Sequence, residues 1–472
     1  MVYIMSTSSI SLPIHNKTRQ ENVPQQSVGA KKVYIRTFGC QMNVYDTGKM
    51  RALLEKDGYV TTESMEEADL VIVNTCSIRE KPELKVHSFL GEARKIKRFR
   101  DRPMTIAVSG CVAQQEGQKL LDRYHDLNLV FGPDAVSNIK KLVDATENKK
   151  QVLDTDFLEE ADYVFASELD PEAAQRVGAF VTIQKGCDNK CTFCIVPSTR
   201  GKEVSRPSEQ IIDEVKRLVD EGVVEITLIG QNVNSYGLKV PSEKTFAQLL
   251  YAVADVEGVE RIRYTTSHPR DMGLDVIQAY RDLPQLTSYL HLPVQSGSSK
   301  ILRRMKRYYT RERYLEVVDQ LREARPDISL STDFIIGFPG ETEEDFELTM
   351  SLLEEVKFSS SFSFKYSQRP NTPALKLVDR DSVDPQIAGE RLMRLQAKQR
   401  EIAQAEHELL EGTIQRVLVE GPAKHDQGVI CGRTGTHKMV NFPGTLDQVG
   451  QFVDVKITKG FANSLRGEQI SI

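Results

Sequence analysis

Three short apolar runs, at residues 33–38, 70–73 and 105–108, are each followed within three positions by a cysteine: Cys40, Cys76 and Cys111. The cysteines stand 36 and 35 residues apart. A strand with its crossover helix fills about 30 residues or more, so this spacing constrains the chain to a parallel sheet with crossover helices. All three thiols then emerge at one carboxyl edge, where open α/β sheets place their ligands. A lone free cysteine is ordinary core packing. Three at equivalent positions are another matter, and their contexts read as loops: Gly39-Cys40-Gln41-Met42-Asn43, Asn74-Thr75-Cys76-Ser77 and Ser109-Gly110-Cys111.

The chain has 472 residues, enough for about three domains, and seven cysteines. That number is odd and far too small for a disulfide scaffold, and three of the seven fall between 187 and 194, so a metal site in a reducing, cytoplasmic compartment is expected. No run of eighteen apolar residues exists to span a bilayer. With 62 basic against 67 acidic side chains and a net charge of −5, nucleic-acid contact would have to come from local patches. Residues 1–30 are polar, without a basic start or an apolar core, and read as a disordered leader rather than a signal peptide.

The first α/β domain is expected over 31–150. Between 152 and 175 there are eight acidic residues and no Lys or Arg, which suits a solvated acidic linker over 151–178, with an acidic surface helix as the alternative. A second alternating series follows over 179–405. Strands are expected at 180–185, 225–229, 261–266, 289–294, 328–336 and 361–366, with helical patterns between them, which makes a partial (β/α)6 barrel two units short of a closed eight. After a long charged helix near 384–411, the segments 413–420 and 453–458 alternate in period two. The last stretch, 406–472, therefore reads as a small antiparallel, OB-like β-barrel, a shape often used to bind RNA.

The strongest motif is Cys187, Cys191 and Cys194, spaced CxxxCxxC at the end of the first barrel strand. Zinc competes for it, but structural zinc takes four ligands, and no fourth Cys or paired His stands nearby. Three thiolates match a [4Fe-4S] cube with one iron left open. That open iron can take the amine and carboxylate of S-adenosylmethionine.

On these residues the chain resembles the radical S-adenosylmethionine superfamily. Residues 186–201, GCDNKCTFCIVPSTRG, narrow the resemblance to its methylthiotransferases, which carry an amino-terminal three-cysteine domain and a carboxyl-terminal TRAM barrel; all three parts occur in that order over 31–472. The strings at 36–43 (RTFGCQMN), 230–237 (GQNVNSYG) and 267–269 (SHP) are most similar to the members that act on N6-isopentenyladenosine in tRNA. The resemblance implies two [4Fe-4S] clusters. Cys187, Cys191 and Cys194 would hold the radical-generating one, and Cys40, Cys76 and Cys111 an auxiliary cluster that carries sulfur. One S-adenosylmethionine would methylate that sulfur, and a second would yield the radical that removes hydrogen from C2 of an adenine next to the anticodon. Such an aromatic C–H offers acid–base chemistry neither acidity nor a leaving group. The implied partners are tRNA, an electron donor and a sulfur source; a monomer is expected.

Further residues are expected around S-adenosylmethionine. Asp333 and Gly337 belong to the run 333–341 (DFIIGFPGE), which matches the superfamily's strand-five glycine motif only in its second half, Asp333 standing where the pattern has glycine. Gln231 and Asn232 replace the usual acidic motif after strand two. Arg200 and Arg206 follow the cysteine loop and carry forks suited to carboxylates. His291 and Gln295 flank the fourth strand's end, where a buried, satisfied histidine is the simpler reading. Two basic tracts could meet phosphates or be solvated faces: Arg94 to Arg102, and the tract with Arg303, Arg304, Lys306 and Arg307 followed by Tyr308 and Tyr309, whose rings could stack on unpaired bases. Cys431 is expected to be a packing thiol. The rival functions are methylthiotransferases of threonylcarbamoyladenosine or of a ribosomal-protein aspartate, and, from another class, an iron–sulfur electron carrier with an RNA-binding tail.

Overall fold

A computed structural model describes residues 29–77, 80–159, 163–173, 176–424, 426 and 428–470; all but the last two residues of the expected leader lie outside them. The first unit is a six-stranded, wholly parallel sheet of β1 (Lys32–Phe38), β2 (Val60–Thr61), β3 (Leu70–Thr75), β4 (Thr105–Gly110), β5 (Leu129–Phe131) and β6 (Val152–Asp154), in the order β2-β1-β3-β4-β5-β6. The β3 sequence LVIVNT is buried at every position, as a central parallel strand covered on both faces must be. The sheet runs four residues beyond the boundary expected at 150, because β6 adds as an edge to β5.

The second unit opens with β7 (Gly178–Thr182), a ribbon of β8 (Gln184–Lys185) and β9 (Val204–Ser205), then β10 (Glu225–Ile229), β11 (Arg261–Thr265), β12 (Tyr289–His291), β13 (Ser329–Ile336) and β14 (Ser360–Lys365). Six of these form two parallel half-sheets, β11-β10-β7 and β12-β13-β14, joined by a single bridge from Ile262 to Leu286. Alternate side chains of the half-sheets pack outward under the helices, as Ile226, Leu228, Ile262, Tyr264, Leu290 and Phe334 do, and the intervening ones line a lumen.

The last unit is a closed barrel of β15 (Ile414–Pro422), β16 (Val429–Thr434), β17 (Met439–Pro443), β18 (Phe452–Phe461) and β19 (Ser464–Gln469). Its ladders are antiparallel except β17 against β19, which is parallel, a departure from the purely antiparallel barrel expected. Closing five strands leaves the last one to seal the gap in the direction its hairpin with β18 dictates. The helix Pro385–Glu408 runs through residue 405 and joins both units.

The three units are pinned together by buried charge. Lys49 Nζ donates to Glu214 Oε1 at 2.8 Å, Lys185 Nζ to Asp134 Oδ2 at 2.5 Å and Arg200 to Asp46 at 2.7 Å, which fixes the thiol-bearing sheet on the partial barrel. The terminal barrel caps the amino ends of the barrel strands. Arg261 at the start of β11 donates to the Arg433 carbonyl at 3.1 Å, Lys438 donates to Ser329 at the start of β13 at 3.0 Å, and the His437 ring lies 4.5 Å from that of Tyr289. Among the described residues no helix is long and apolar enough to cross a membrane.

Candidate active site

The neighbouring strands β1, β3 and β4 are in register at Phe38, Thr75 and Gly110, so the residues just beyond them share one edge. Cys40 caps the helix Gln41–Lys56, Cys76 follows β3, and Cys111 begins the helix Cys111–Glu116. The sharp exit from β4 requires glycine: Gly110 sits at φ +87°, and a Cβ there would meet the Thr75 carbonyl at 2.5 Å. Asn43 and Asn74, both buried, tie two of the loops together, Asn43 donating to Asn74 Oδ1 at 3.0 Å and Asn74 to the Asn43 carbonyl at 2.8 Å. The three thiols are hydrogen-bonded through Cys76. That bond, with the Arg200 guanidinium nearby, brings Cys40 down to about 7 and Cys111 down to about 5. Cys76, buried between two sulfurs, is pushed well up.

The second triad is local. β8 ends at Lys185, and Gly186, at φ +72°, turns the chain so tightly that a Cβ would collide with the Lys202 carbonyl. The Gly186 N–H donates to Gln231 Oε1, and the Cys187 N–H to the Gly201 carbonyl at 3.2 Å, closing the loop that carries Cys187, Cys191 and Cys194. Burial pushes Cys187 up to about 11 and Cys194 up to about 12. The buried Arg307 donates to Cys191 Sγ at 3.5 Å. The helix Val196–Arg200 begins two residues after Cys194 and ends at the guanidinium that meets Cys111, so about 7.5 Å of helix links the triads.

Beside the second triad lies an open cleft of about 360 Å³, bordered by Asp188 to Lys190 of the cysteine loop and by Glu203, Asn232, Arg270, Asp271 and Tyr308. Asn232 donates to Asp271 at 2.7 Å, while its Oδ1 is buried with no hydrogen-bond partner. His268, one layer beneath, is held neutral: burial first, then Arg307 and Arg270, lower it to about 2. Its Nδ1 accepts from the Arg270 N–H at 3.2 Å.

Only some of the residues expected around S-adenosylmethionine gather here. Asn232 lines the cleft. Gln231 instead holds the Gly186 backbone. Arg200 is buried in an ion pair with Asp46 at the first triad. Arg206 is spent on a buried pair with Glu214, which also meets Lys49 of the first unit. Asp333 faces the lumen, 3.7 Å from His291 Nε2, and the Gly337 N–H donates to Glu341 Oε1 at 3.0 Å where the turn abuts Ala388. His291 is bonded to Ser331 at 2.9 Å, and the Gln295 N–H to the Asp333 carbonyl at 2.9 Å. Glu203, Arg270 and Asp271 were not anticipated, since nothing in their local spacing marks them and only the fold brings them to Asn232.

The second basic tract divides. Arg303, Lys306 and Tyr308 are exposed, Arg304 pairs with Asp381, and Arg307 and Tyr309 are buried under the second triad, which removes Arg307 from any RNA surface. The first tract is largely occupied, Arg94 with Asp126 and Lys97 with Asn128. Cys431 lies in the terminal barrel with its thiol against the Pro422 carbonyl at 3.6 Å.

Whether the groups expected here suit these residues turns on the donor sets. Among the described residues no group of three or more His, Cys, Asp or Glu side chains is placed to hold a metal ion. Each triad offers three thiols and no fourth, the donor set of an iron–sulfur cube with one iron left open. Buried hydroxyls beside the first triad, Ser77 and Ser109, have no hydrogen-bond partner, and donors of this kind suit cluster sulfides. The residues fit.

Three family models match the chain in order: Uncharacterized protein family UPF0004 over residues 32–132, the Radical SAM superfamily over 181–353 and the TRAM domain over 408–470. A radical S-adenosylmethionine methyltransferase, TsrM, from Kitasatospora setae superposes with a TM-score of 0.54 at 15% identity, covering 73% of this chain and 77% of that one, a likeness of fold alone. Together the fold and the thiol triads define a radical S-adenosylmethionine enzyme with a second cysteine triad and a terminal TRAM barrel. The tRNA-2-methylthio-N(6)-dimethylallyladenosine synthase of Geobacter metallireducens is 49% identical over 93% of this chain and 98% of its own length, and that of Nitrosomonas europaea 48% over the same shares. The chain belongs to the tRNA-2-methylthio-N(6)-dimethylallyladenosine synthase family.

Proposed function

We propose that this protein adds a methylthio group to C2 of N6-isopentenyladenosine next to the anticodon of tRNA. The observation that carries the reading is the pair of three-thiol sites joined through the helix Val196–Arg200, one on a sheet edge and one in a barrel loop. The family's relatives bear that activity in their name. Cys187, Cys191 and Cys194 hold one [4Fe-4S] cluster and Cys40, Cys76 and Cys111 the other. With S-adenosylmethionine, these groups supply the electron, the hydrogen-abstracting radical and the sulfur when bound.

The chain's own residues do the placing. Asn232, Asp271 and Glu203 present oxygens to the methionine ammonium, and Arg270 and Lys190 present cations to its carboxylate, all on the cleft beside the cysteine loop. Arg200 sets a cation against the first triad, which favours thiolate at Cys111, and Arg307 places one beside Cys191; both screen the charge of a bound cluster. Exposed Arg303, Lys306 and Tyr308, with the terminal barrel, meet tRNA phosphates and bases. The working setting is the cytoplasm, the protein is a monomer, and an electron donor and a sulfur source serve it.

The test is incubation of reduced, reconstituted protein with isopentenylated and with threonylcarbamoylated anticodon stem–loops, followed by mass analysis. The methylthio increment is expected on the isopentenylated RNA. Product only on the threonylcarbamoylated one overturns the reading, and an absence of S-adenosylmethionine cleavage would favour an electron carrier.

A further inference from the structure

Arg307 is a buried guanidinium that meets no carboxylate. It is 6% exposed. Its Nε donates to the Tyr309 hydroxyl at 3.1 Å, one terminal nitrogen to the Pro293 carbonyl at 2.9 Å and the other to Cys191 Sγ at 3.5 Å. Among the described residues no Asp or Glu forms an ion pair with it. The backbone is bent to put it there: Lys306 and Tyr308, on either side, sit at φ +54° and +58° with exposed side chains, left-handed conformations that cost strain outside glycine. Thr192 of the cysteine loop donates its N–H to the Met305 carbonyl and its hydroxyl to the Arg304 carbonyl, both at 3.0 Å, so loop and segment are docked together. A buried charge is costly unless an anion answers it. At the other triad the answer is already present, since the equally buried Arg200 is paired with Asp46 at 2.7 Å. Of the other charged groups around the second triad, Lys190 is exposed to water, Arg270 is paired with Asp271, and Glu203 with Lys239.

We infer that Arg307 is the counter-cation of the cluster held by Cys187, Cys191 and Cys194 and raises its reduction potential, whereas Asp46 cancels most of the same effect of Arg200 on the other cluster. This rests on the two-cluster reading and assigns one residue to the redox poise of one cluster. Reduction there takes one electron from a low-potential donor, moves no proton and breaks no bond. The negative charge it adds is stabilised by a cation buried against a ligating sulfur, where water screens little. An electron from a given donor therefore settles more readily beside the cleft proposed for S-adenosylmethionine.

The test is a redox titration of the full chain loaded with both clusters, with dithionite as reductant and electron paramagnetic resonance as the readout; replacing either triad by alanines assigns each signal to its cluster. Arg307→Gln should lower the reduced-to-oxidised ratio of the second cluster at a fixed potential by about tenfold, a midpoint shift of about 59 mV for one electron. The first cluster's midpoint should stay where it was, and iron should stay at about eight per chain. Arg307→Lys, which keeps the charge, should recover most of the shift. Asp46→Asn, which leaves the Arg200 charge unanswered, should raise the same ratio at the first cluster several-fold. An unchanged second midpoint in Arg307→Gln with iron intact, or an equal drop in Arg307→Lys, overturns the assignment. If Arg307→Gln loses iron, the decision passes to Asp46→Asn, and an unchanged first midpoint there overturns the electrostatic account. If the native chain takes up no iron at Cys187, Cys191 and Cys194, the two-cluster reading itself has failed, an outcome separate from the others.

Discussion

The two cysteine triads reach similar donor sets by opposite routes. Cys187, Cys191 and Cys194 lie in one loop, closed by the hydrogen bonds of Gly186 and Cys187, and burial pushes two of these thiols up to about 11 and about 12. Cys40, Cys76 and Cys111 come from three strands, meet only because β1, β3 and β4 are in register, and share hydrogen bonds and the Arg200 cation, which lower Cys40 and Cys111. A loop triad is thus preorganised by local geometry, whereas a sheet-edge triad depends on the whole domain and on its neighbour's arginine.

The largest effects should separate the triads outright. Cys187→Ala is expected to abolish 5′-deoxyadenosine formation, while Cys76→Ala keeps it and loses the methylthio product; modification of tRNA by Cys76→Ala would erase the division of labour. Iron analysis gives the same comparison without turnover. Two cubes imply about eight irons per chain, and replacing either triad by alanines should leave about four. A count near eight in either variant would place a cluster elsewhere.

The seam between the thiol-bearing sheet and the partial barrel is open to a stability test. Glu214 is buried with Lys49 and Arg206, and Glu214→Ala would leave two cations unpaired, costing about 3–5 kcal/mol. Denaturant unfolding reads this directly, and a loss under 1 kcal/mol would mean that water reaches the seam.

A gentler effect is confined to the barrel side. Burial raises Glu341 from 4.5 to about 7, against the opposing pull of the Gly337 N–H and Arg391. The native state then holds this proton more tightly than the unfolded chain, so the associated stability is full below about pH 4.5 and is lost as pH rises through about 7. Glu341→Gln should flatten the stability profile across that window, and a slope that survives the substitution assigns the proton to another group.

Motifs whose atoms meet through a few bonds were readable in advance. The CxxxCxxC loop and the strand-to-cysteine intervals survive as geometry because both follow from short-range periodicity. The arginines show the limit. Arg200 finds Asp46 and Arg307 finds Cys191, partners 154 and 116 residues away, so no local pattern could tell a ligand-binding fork from a buried ion pair. Gln231 was read as a ligand contact and instead bonds a glycine 45 residues earlier. Strands β2, β5 and β6, of two or three residues each, are too short to show a period and exist only because a neighbour supplies their hydrogen bonds.

Sequence alone determined the class of chemistry, since thiol number and spacing are written in the chain, and it determined the order of the three units, since hydrophobic period distinguishes parallel α/β units from a small barrel. Tertiary structure decided which charged groups border the cleft beside the cysteine loop. It buried Arg200, Arg206 and Arg307 and brought Glu203, Arg270 and Asp271 to one cleft. The physical reason is that a charge or a ring is costly or useful according to what surrounds it, and those surroundings are assembled from segments a hundred or more residues apart.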